Sequence, residues 1–298
     1  MKPIELALGP CLFNWSVDRL TDFYARIADE APVDRVYLGE VVCGKRMPFN
    51  DKAWPDAIER LQRGGKKVIL SSLALPATPR ERKLMKELAD SDLQIEVNDM
   101  SMLAHEDLGP FVAGPFLNIY NDAALRFMAS RGADTWCPPV EVSLETIGLA
   151  AKANPEVDIE LFAFGRLPLA LSSRCYHARA HGVSKDSCQF VCDKDPDGMA
   201  VTTLDKDAFL AVNGIQTLSD ACQVVALDTG HLVEQGITRL RLSPQTADMV
   251  SVAKSYRAML DGSITPHEME EAVEELPLPG PTCNAYIKGE PGWKHTAL

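Results

Sequence analysis

No run of the 298-residue chain stays apolar for the ~20 residues that a membrane-spanning helix needs. The nearest, Leu161 to Leu171, is broken by Arg166 and Pro168. No apolar run of signal-peptide length stands before Asp18 and Arg19, so a soluble, cytoplasmic and reducing setting is expected. Basic residues are in the minority: 30 Lys and Arg against 42 Asp and Glu leave a net charge of −12. Such a field repels phosphate backbones and anionic lipid, which disfavours nucleic acid as a partner. Three catalytic signatures are missing too. No Gly-x-Gly-x-x-Gly follows the first strand signal, no His-Glu-x-x-His occurs, and no Ser/His/Asp constellation can be placed. Cysteine is sparse, at eight residues. That is too few for a disulfide scaffold, and a chain this long buries a core without staples.

What is present is an ordinary globular composition, 46% apolar and 24% charged, arranged in a steady alternation. Strands are expected at Ile4–Leu8, Arg35–Leu38, Lys67–Ser71, Leu93–Val97, Phe116–Tyr120, Asp134–Cys137, Ile159–Phe164 and Thr238–Leu242. Between them lie helical patterns at Asp18–Ala28, Trp54–Leu61, Pro79–Ala89, Asp122–Ser130 and Ser143–Asn154, with a short one around Ser101–Leu108. Further helices are expected over Ala221–Gln235 and along the face Met249, Val252, Ala253, Tyr256 and Leu260. Eight strand–helix alternations point to a (β/α)8 TIM-like barrel, with an open doubly wound sheet as the alternative. Residues 1–298 read as one domain. Residues 166–219 break the rhythm as an insertion after strand seven, and 276–298 form a tail rich in Pro and Gly.

In such a barrel, functional side chains sit just beyond the C-terminal ends of the strands. Cys43 follows strand two, Cys175 follows strand seven, and Cys188 and Cys192 lie in the insertion. Four thiolates converging on one rim suit a tetrahedral zinc or a [4Fe–4S] cluster. The spacing leans towards iron–sulfur, because structural zinc usually takes two short Cys knuckles and only one close pair is present. The plain alternative is that each cysteine is a small core residue. Cys11 and Cys137 follow strands one and six and are rival ligands on the same rim. Cys222 falls within the expected Ala221–Gln235 helix as packing, and Cys283 lies in the tail.

The segment Arg174-Cys175-Tyr176-His177-Ala178-Arg179-Ala180-His181, followed by Lys185-Asp186-Ser187-Cys188-Gln189-Phe190-Val191-Cys192, resembles the UbiV-type members of the collagenase-like peptidase family. The likeness extends to Leu38-Gly39-Glu40, Cys43-Gly44-Lys45-Arg46, Glu96-Val97-Asn98-Asp99, Gly114 to Asn121 and Asn213 to Ser219. The resemblance implies a [4Fe–4S] cluster held by Cys43, Cys175, Cys188 and Cys192. It also implies partnership with a homologous UbiU-type subunit in oxygen-independent hydroxylation of a lipophilic ubiquinone precursor. Ala285 and Ile287 depart from the family's glycine and aromatic in the tail, and Cys11 and Cys137 are additional to its pattern. The peptidase label itself finds no catalytic motif to rest on.

Glu40, Asn98, Asn118, Asn121 and Glu141 fall at or just after expected strand ends, where they would position a phenolic ring or accept protons. Loop and helix-cap hydrogen bonds are the competing explanation. Lys45, Arg46, Arg166 and Arg174 would make the pocket locally positive, as a carboxylate-bearing co-substrate needs, although surface solvation explains any one of them. His177 and His181, four apart, read as supporting side chains once cysteines supply the ligands. Asp193, Asp195, Asp197 and Gly198 lack the glutamate of a calcium loop and read as a tight hairpin. Three functions follow: an iron–sulfur hydroxylase subunit, a metal-braced scaffold for a catalytic partner, or a hydrolase or aldolase-like barrel with incidental cysteines.

Overall fold

The computed structural model describes residues 3–105 and 108–296. Its first seven strands are β1 (Glu5–Leu8), β2 (Arg35–Leu38), β3 (Lys67–Ser71), β4 (Gln94–Val97), β5 (Phe111–Ala113), β6 (Ala133–Trp136) and β7 (Asp158–Leu171). Three more, β8 (Met199–Thr202), β9 (Ala208–Asn213) and β10 (Gln216–Val224), precede β11 (Ile237–Leu242). Strands β1 to β7 pair in order and in parallel, and β11 pairs in parallel with both β7 and β1. That double pairing closes an eight-stranded barrel and removes the open-sheet alternative.

The outer layer is α1 (Val17–Glu30), α2 (Met47–Asn50), α3 (Trp54–Arg63), α4 (Pro79–Ala89), α5 (Asp122–Ser130), α6 (Leu144–Ala153), α7 (Tyr176–Ala180), α8 (Thr229–Glu234), α9 (Met249–Leu260) and α10 (Pro266–Glu274). Their starts are chemically marked. Ser16 caps α1, and Thr78 with Glu81 forms a capping box on α4, with Pro79 in the first turn. Leu20, Tyr24 and Ile27 of α1 are buried against the barrel, as their 3–4 spacing requires. Among the described residues, no helix is long and apolar enough to cross a membrane.

Side chains alternate across each strand, so one set faces the helices and the other fills the barrel. Ala7, Tyr37, Ile69 and Val112 form a separate inward cluster. Beside it, fully buried Arg241 pairs with both Glu96 and Glu160 and lies 4.2 Å from the centroid of the Tyr37 ring. Tyr37 donates a hydrogen bond to Glu160, and Ser71 donates to Glu96. One cation is therefore shared between two buried carboxylates. Arg241→Leu strands both carboxylates and is expected to lower unfolding free energy by about 3–5 kcal/mol, read as a shift of the urea midpoint.

Several local expectations are corrected. The run Phe116–Tyr120 is not a strand: Pro115–Leu117 is a 3-10 turn, and Asn118 is left-handed with φ of 55°. The fifth strand is the three-residue Phe111–Ala113, set between Pro110 and Gly114 and too short to show a period. The segment expected as helix Ala221–Gln235 begins as β10, buried on both faces, and only its end, α8, is helical. A short apolar run buried on both sides has no period with which to choose between the two. Cys222 accordingly lies on a strand, hydrogen-bonded beside β12 (Thr282–Cys283), not in a helix. The short helix at Ser101–Leu108 is a 3-10 turn over Met100–Ala104, and Glu106 and Asp107 lie outside the described residues. An additional helix, α10, carries a Thr265–Glu268 capping box that its sequence already displays. The tail from 276 packs back onto β10 through β12 and buries Cys283 completely. Ala297 and Leu298, its last two residues, lie outside the described residues.

Strand β7 explains where the cysteines go. It runs 14 residues, crossing the barrel and continuing beyond the rim, where its outer half pairs antiparallel with β10. Strand β9 joins β10, and β8 joins β9, both antiparallel. The insertion is therefore a small antiparallel sheet standing on the barrel mouth.

Candidate functional site

The rim loop after β2 turns at Gly39, whose φ is 137° and where a Cβ would lie 2.5 Å from the Ser71 carbonyl oxygen. Only glycine lets the chain leave β2 this close to β3. Glu40 then folds the loop. Its Oε1 accepts from the backbone N–H of Val42 at 3.0 Å and of Cys43 at 2.9 Å, and its Oε2 accepts from Asn50 at 3.0 Å. The result is a half-buried Cys43 facing the insertion.

Cys175 caps α7, accepting from the Ala178 N–H at 3.4 Å, and its thiol donates to the Gly214 carbonyl at 3.2 Å. Between Cys188 and Cys192, Gln189 and Phe190 are both left-handed, with φ of 49° and 55°. Each such residue costs about 1–3 kcal/mol, and strain of this kind gathers where geometry is imposed for function. The Phe190 ring is held edge-on by Phe49 at 4.7 Å. Asn14, on the loop after β1, donates to the Cys192 sulfur at 3.4 Å.

Cys43, Cys175, Cys188 and Cys192 line one small cavity of about 20 Å³, together with Lys45, Arg46, Lys185, Phe190, Gly214 and Ile215. The four sulfurs are spread wider than one ion needs. Among the described residues, no three of them lie within 4.8 Å of one another, whereas thiolates on a tetrahedral zinc sit roughly 3.8 Å apart. A four-iron cluster takes each cysteine on a different iron, so its ligands stand further apart. Donor chemistry, spread and apolar walls all fit a cluster better than a single ion.

Charge around the cavity is opposite to that of the chain. Arg46 is almost wholly buried and donates to the Leu12 carbonyl at 3.3 Å and to Asn213 at 2.6 Å, with Glu40 at 3.7 Å. Burial works against its charge, but Glu40, and after it Cys192 and Cys43, more than offset that and hold its pKa above the ordinary value. Gly214 closes over it, since a Cβ there would lie 2.4 Å from the guanidinium. Lys45 reaches the Lys185 carbonyl at 2.6 Å, tying the second rim loop to the insertion.

The other candidates divide. Asn118 and Glu141 line a neighbouring open cleft of about 260 Å³, between the ends of β3, β5, β6 and the outer part of β7. Tyr120 joins them and donates a hydrogen bond to Glu141. Burial, then this carboxylate, pushes its phenol up to about 12, so it stays a donor at neutral pH. Leu171 is common to the cleft wall and to the apolar cluster around Cys175, where Ala74, Leu75 and Phe116 also pack. Cavity and cleft thus share a wall.

Glu40 is a brace beneath Cys43 and does not line the cleft. Asn98 is buried within the barrel mouth, donating to the Ser72 carbonyl and to Glu96, both at 3.2 Å. Asn121 caps α5. Arg166 faces away, its guanidinium bound to the carbonyls of Ser219, Asp220 and Pro279, where it fastens the tail. Arg174 is exposed and lines neither space. Asp197 anchors a turn by accepting from Thr246. Cys11 and Cys137 do not line the cavity; burial pushes Cys11 up to about 12 and raises Cys137 as well. Asn14, Asn213 and Tyr120 carry no sequence signal of their own as site residues. Asn213, which also donates to the Cys192 and Asp195 carbonyls, is found only through its partners.

A TIM-like α/β barrel whose mouth carries a four-cysteine cavity is the class that fold and site define. The chain belongs to peptidase family U32, whose pattern matches residues 15–292. Among solved structures it is similar to the tryptophan synthase complex of Pyrococcus furiosus, at 13% identity over 92% of this chain and 98% of that one, with a TM-score of 0.40. It is also similar to a mandelate racemase/muconate lactonizing enzyme from Roseiflexus sp., at 11% identity over 74% and 62%, with a TM-score of 0.38.

Proposed function

We propose that the chain is a [4Fe–4S] protein, with Cys43, Cys175, Cys188 and Cys192 as ligands. It would serve as the cytoplasmic UbiV-type subunit of an oxygen-independent hydroxylase in ubiquinone biosynthesis. The observation that supports the cofactor is the convergence of four thiols, 149 residues apart at their extremes, on one cavity, with no three of them within 4.8 Å of one another among the described residues. The pathway and the UbiU-type partner rest on the sequence resemblance around Cys175 to Cys192.

A cluster bound there supplies one-electron chemistry beside the cleft. The chain's own residues do the rest. Arg46, Lys45 and Lys185 offset the negative charge of four thiolates, and Asn14 and the Ala178 N–H donate to sulfur, which tunes a cluster's potential. In the cleft, Phe116, Leu169 and Leu171 offer apolar walls to a lipophilic ring, while Asn118 and the Tyr120–Glu141 pair supply a donor and an acceptor for a phenolic oxygen.

Anaerobic purification tests the reading. About four irons and four sulfides per chain, with broad visible absorption, are expected. A colourless protein with stoichiometric zinc on sulfur would overturn it.

A further inference from the structure

A second group of ligand-type side chains stands beside the cysteine cavity without lining it. His177 and His181 project from α7 and its C-cap, their rings stacked at 5.2 Å and 7°. Each Nδ1 faces a backbone carbonyl: that of Val212 at 3.2 Å for His177, and that of His177 itself at 3.1 Å for His181. A carbonyl oxygen only accepts, so both Nδ1 atoms carry the proton and both Nε2 atoms present a lone pair. Asp195 Oδ2 lies 3.0 Å from His177 Nε2, and one ligand atom from each of the three residues falls within 4.8 Å of the others. The His177 ring is fully buried, yet its Nε2 has no hydrogen-bond partner. Two imidazoles and a carboxylate thus stand together, and a cation shared among them satisfies the buried Nε2 of His177.

We propose that His177, His181 and Asp195 form a divalent transition-metal site, separate from the cysteines, that pins the two ends of the cysteine loop together. Two imidazoles and one carboxylate favour a zinc-type ion over magnesium or calcium. Ligands at ~2.0–2.1 Å from a tetrahedral ion sit roughly 3.4 Å apart, close to the 3.0 Å His177–Asp195 separation, and the His181 ligand atom lies within 4.8 Å of both. The Nδ1–carbonyl bonds are the outer-shell contacts that fix tautomer and ring orientation in metal-binding histidines. His181 is exposed and Asp195 partly so, which leaves an entry path and an open fourth position. The placement is mechanical as well as chemical. Cys175 caps the helix bearing His177, and Asp195 ends the 3-10 turn bearing Cys192. One ion here would tie both ends of the loop that positions three of the four thiols.

Cobalt(II) is the probe, added under anoxia to the full-length, iron-loaded protein. One equivalent is expected to bind with d–d absorption and no sulfur-to-cobalt charge-transfer band. His181→Ala and Asp195→Asn should each weaken that binding at least ten-fold, with iron content and circular dichroism unchanged. The partly exposed positions are used because truncating buried His177 risks the fold. Cobalt failing to bind, or binding equally well to both variants, would overturn the site. Should the thiols hold no iron and take cobalt themselves, the charge-transfer band marks that ion, and the sulfur-free equivalent is counted apart. The cluster and the histidine site therefore stand or fall separately.

Discussion

Cys175→Ser is expected to reduce bound iron from about four per chain to less than about one, with loss of visible absorption, while far-ultraviolet circular dichroism stays unchanged. The choice of serine matters. Cys175 caps α7 through the Ala178 N–H, and serine is among the preferred capping residues, so the helix start survives the change. Alanine would remove cap and ligand together, adding about 0.5–2 kcal/mol of destabilisation to the readout. Cys188, half-exposed between Ser187 and left-handed Gln189, should behave alike when replaced. Cys11→Ser and Cys137→Ser should leave iron untouched, since neither lines the cavity. Iron retained by Cys175→Ser would refute the ligand set.

The second large effect concerns Arg46. Arg46→Met is expected to lower unfolding free energy by about 3–5 kcal/mol, measured by urea denaturation under anoxia, and to lower iron occupancy with it. The substitution leaves Glu40, whose pKa burial already raises, without the cation that favours its charged form, and removes the donors to Leu12 and Asn213. Lys45→Met, which breaks a 3.6 Å pair with fully exposed Asp186 and the 2.6 Å hydrogen bond to the Lys185 carbonyl, should cost less, about 1–2 kcal/mol. The double variant Glu40→Gln with Arg46→Met should recover part of the loss, because the stranded charge is then gone. A single Arg46 variant within about 1 kcal/mol of the parent would show that the pair is not what holds the loop.

The strands written in β-branched and aliphatic runs were legible: Arg35–Leu38 and Lys67–Ser71 match the structure residue for residue. So were helices with side-chain caps at their starts, such as Pro79–Ala89 and Asp122–Ser130. Where a mostly apolar stretch is buried throughout, as from Ala221 to Leu227, its sequence has no period, and the start of the helix expected there is the end of β10. The three residues of β5 were overshadowed by the longer apolar run that follows them. The polar candidates divided for a related reason. A position just beyond a strand end says which rim a residue is on, not what its side chain meets. Asn118 and Glu141 meet the cleft, whereas Glu40, Asn121 and Arg166 are used up by backbone groups within reach.

By itself the sequence determined the eightfold alternation, the rim on which Cys43 and Cys175 would sit and the resemblance around Cys175 to Cys192, because these are properties of local pattern and spacing. The tertiary structure alone decided that the sheet closes, since closure rests on β11 pairing with strands far from it in sequence on both sides. It also brought Cys43, Cys175, Cys188 and Cys192 to one cavity and placed Asn213 and Asn14 beside it. Convergence of this kind depends on β7 overrunning the barrel and folding the insertion back across the mouth. No local sequence term records that crossing, because the contacts that stabilise it lie up to 204 residues apart along the chain.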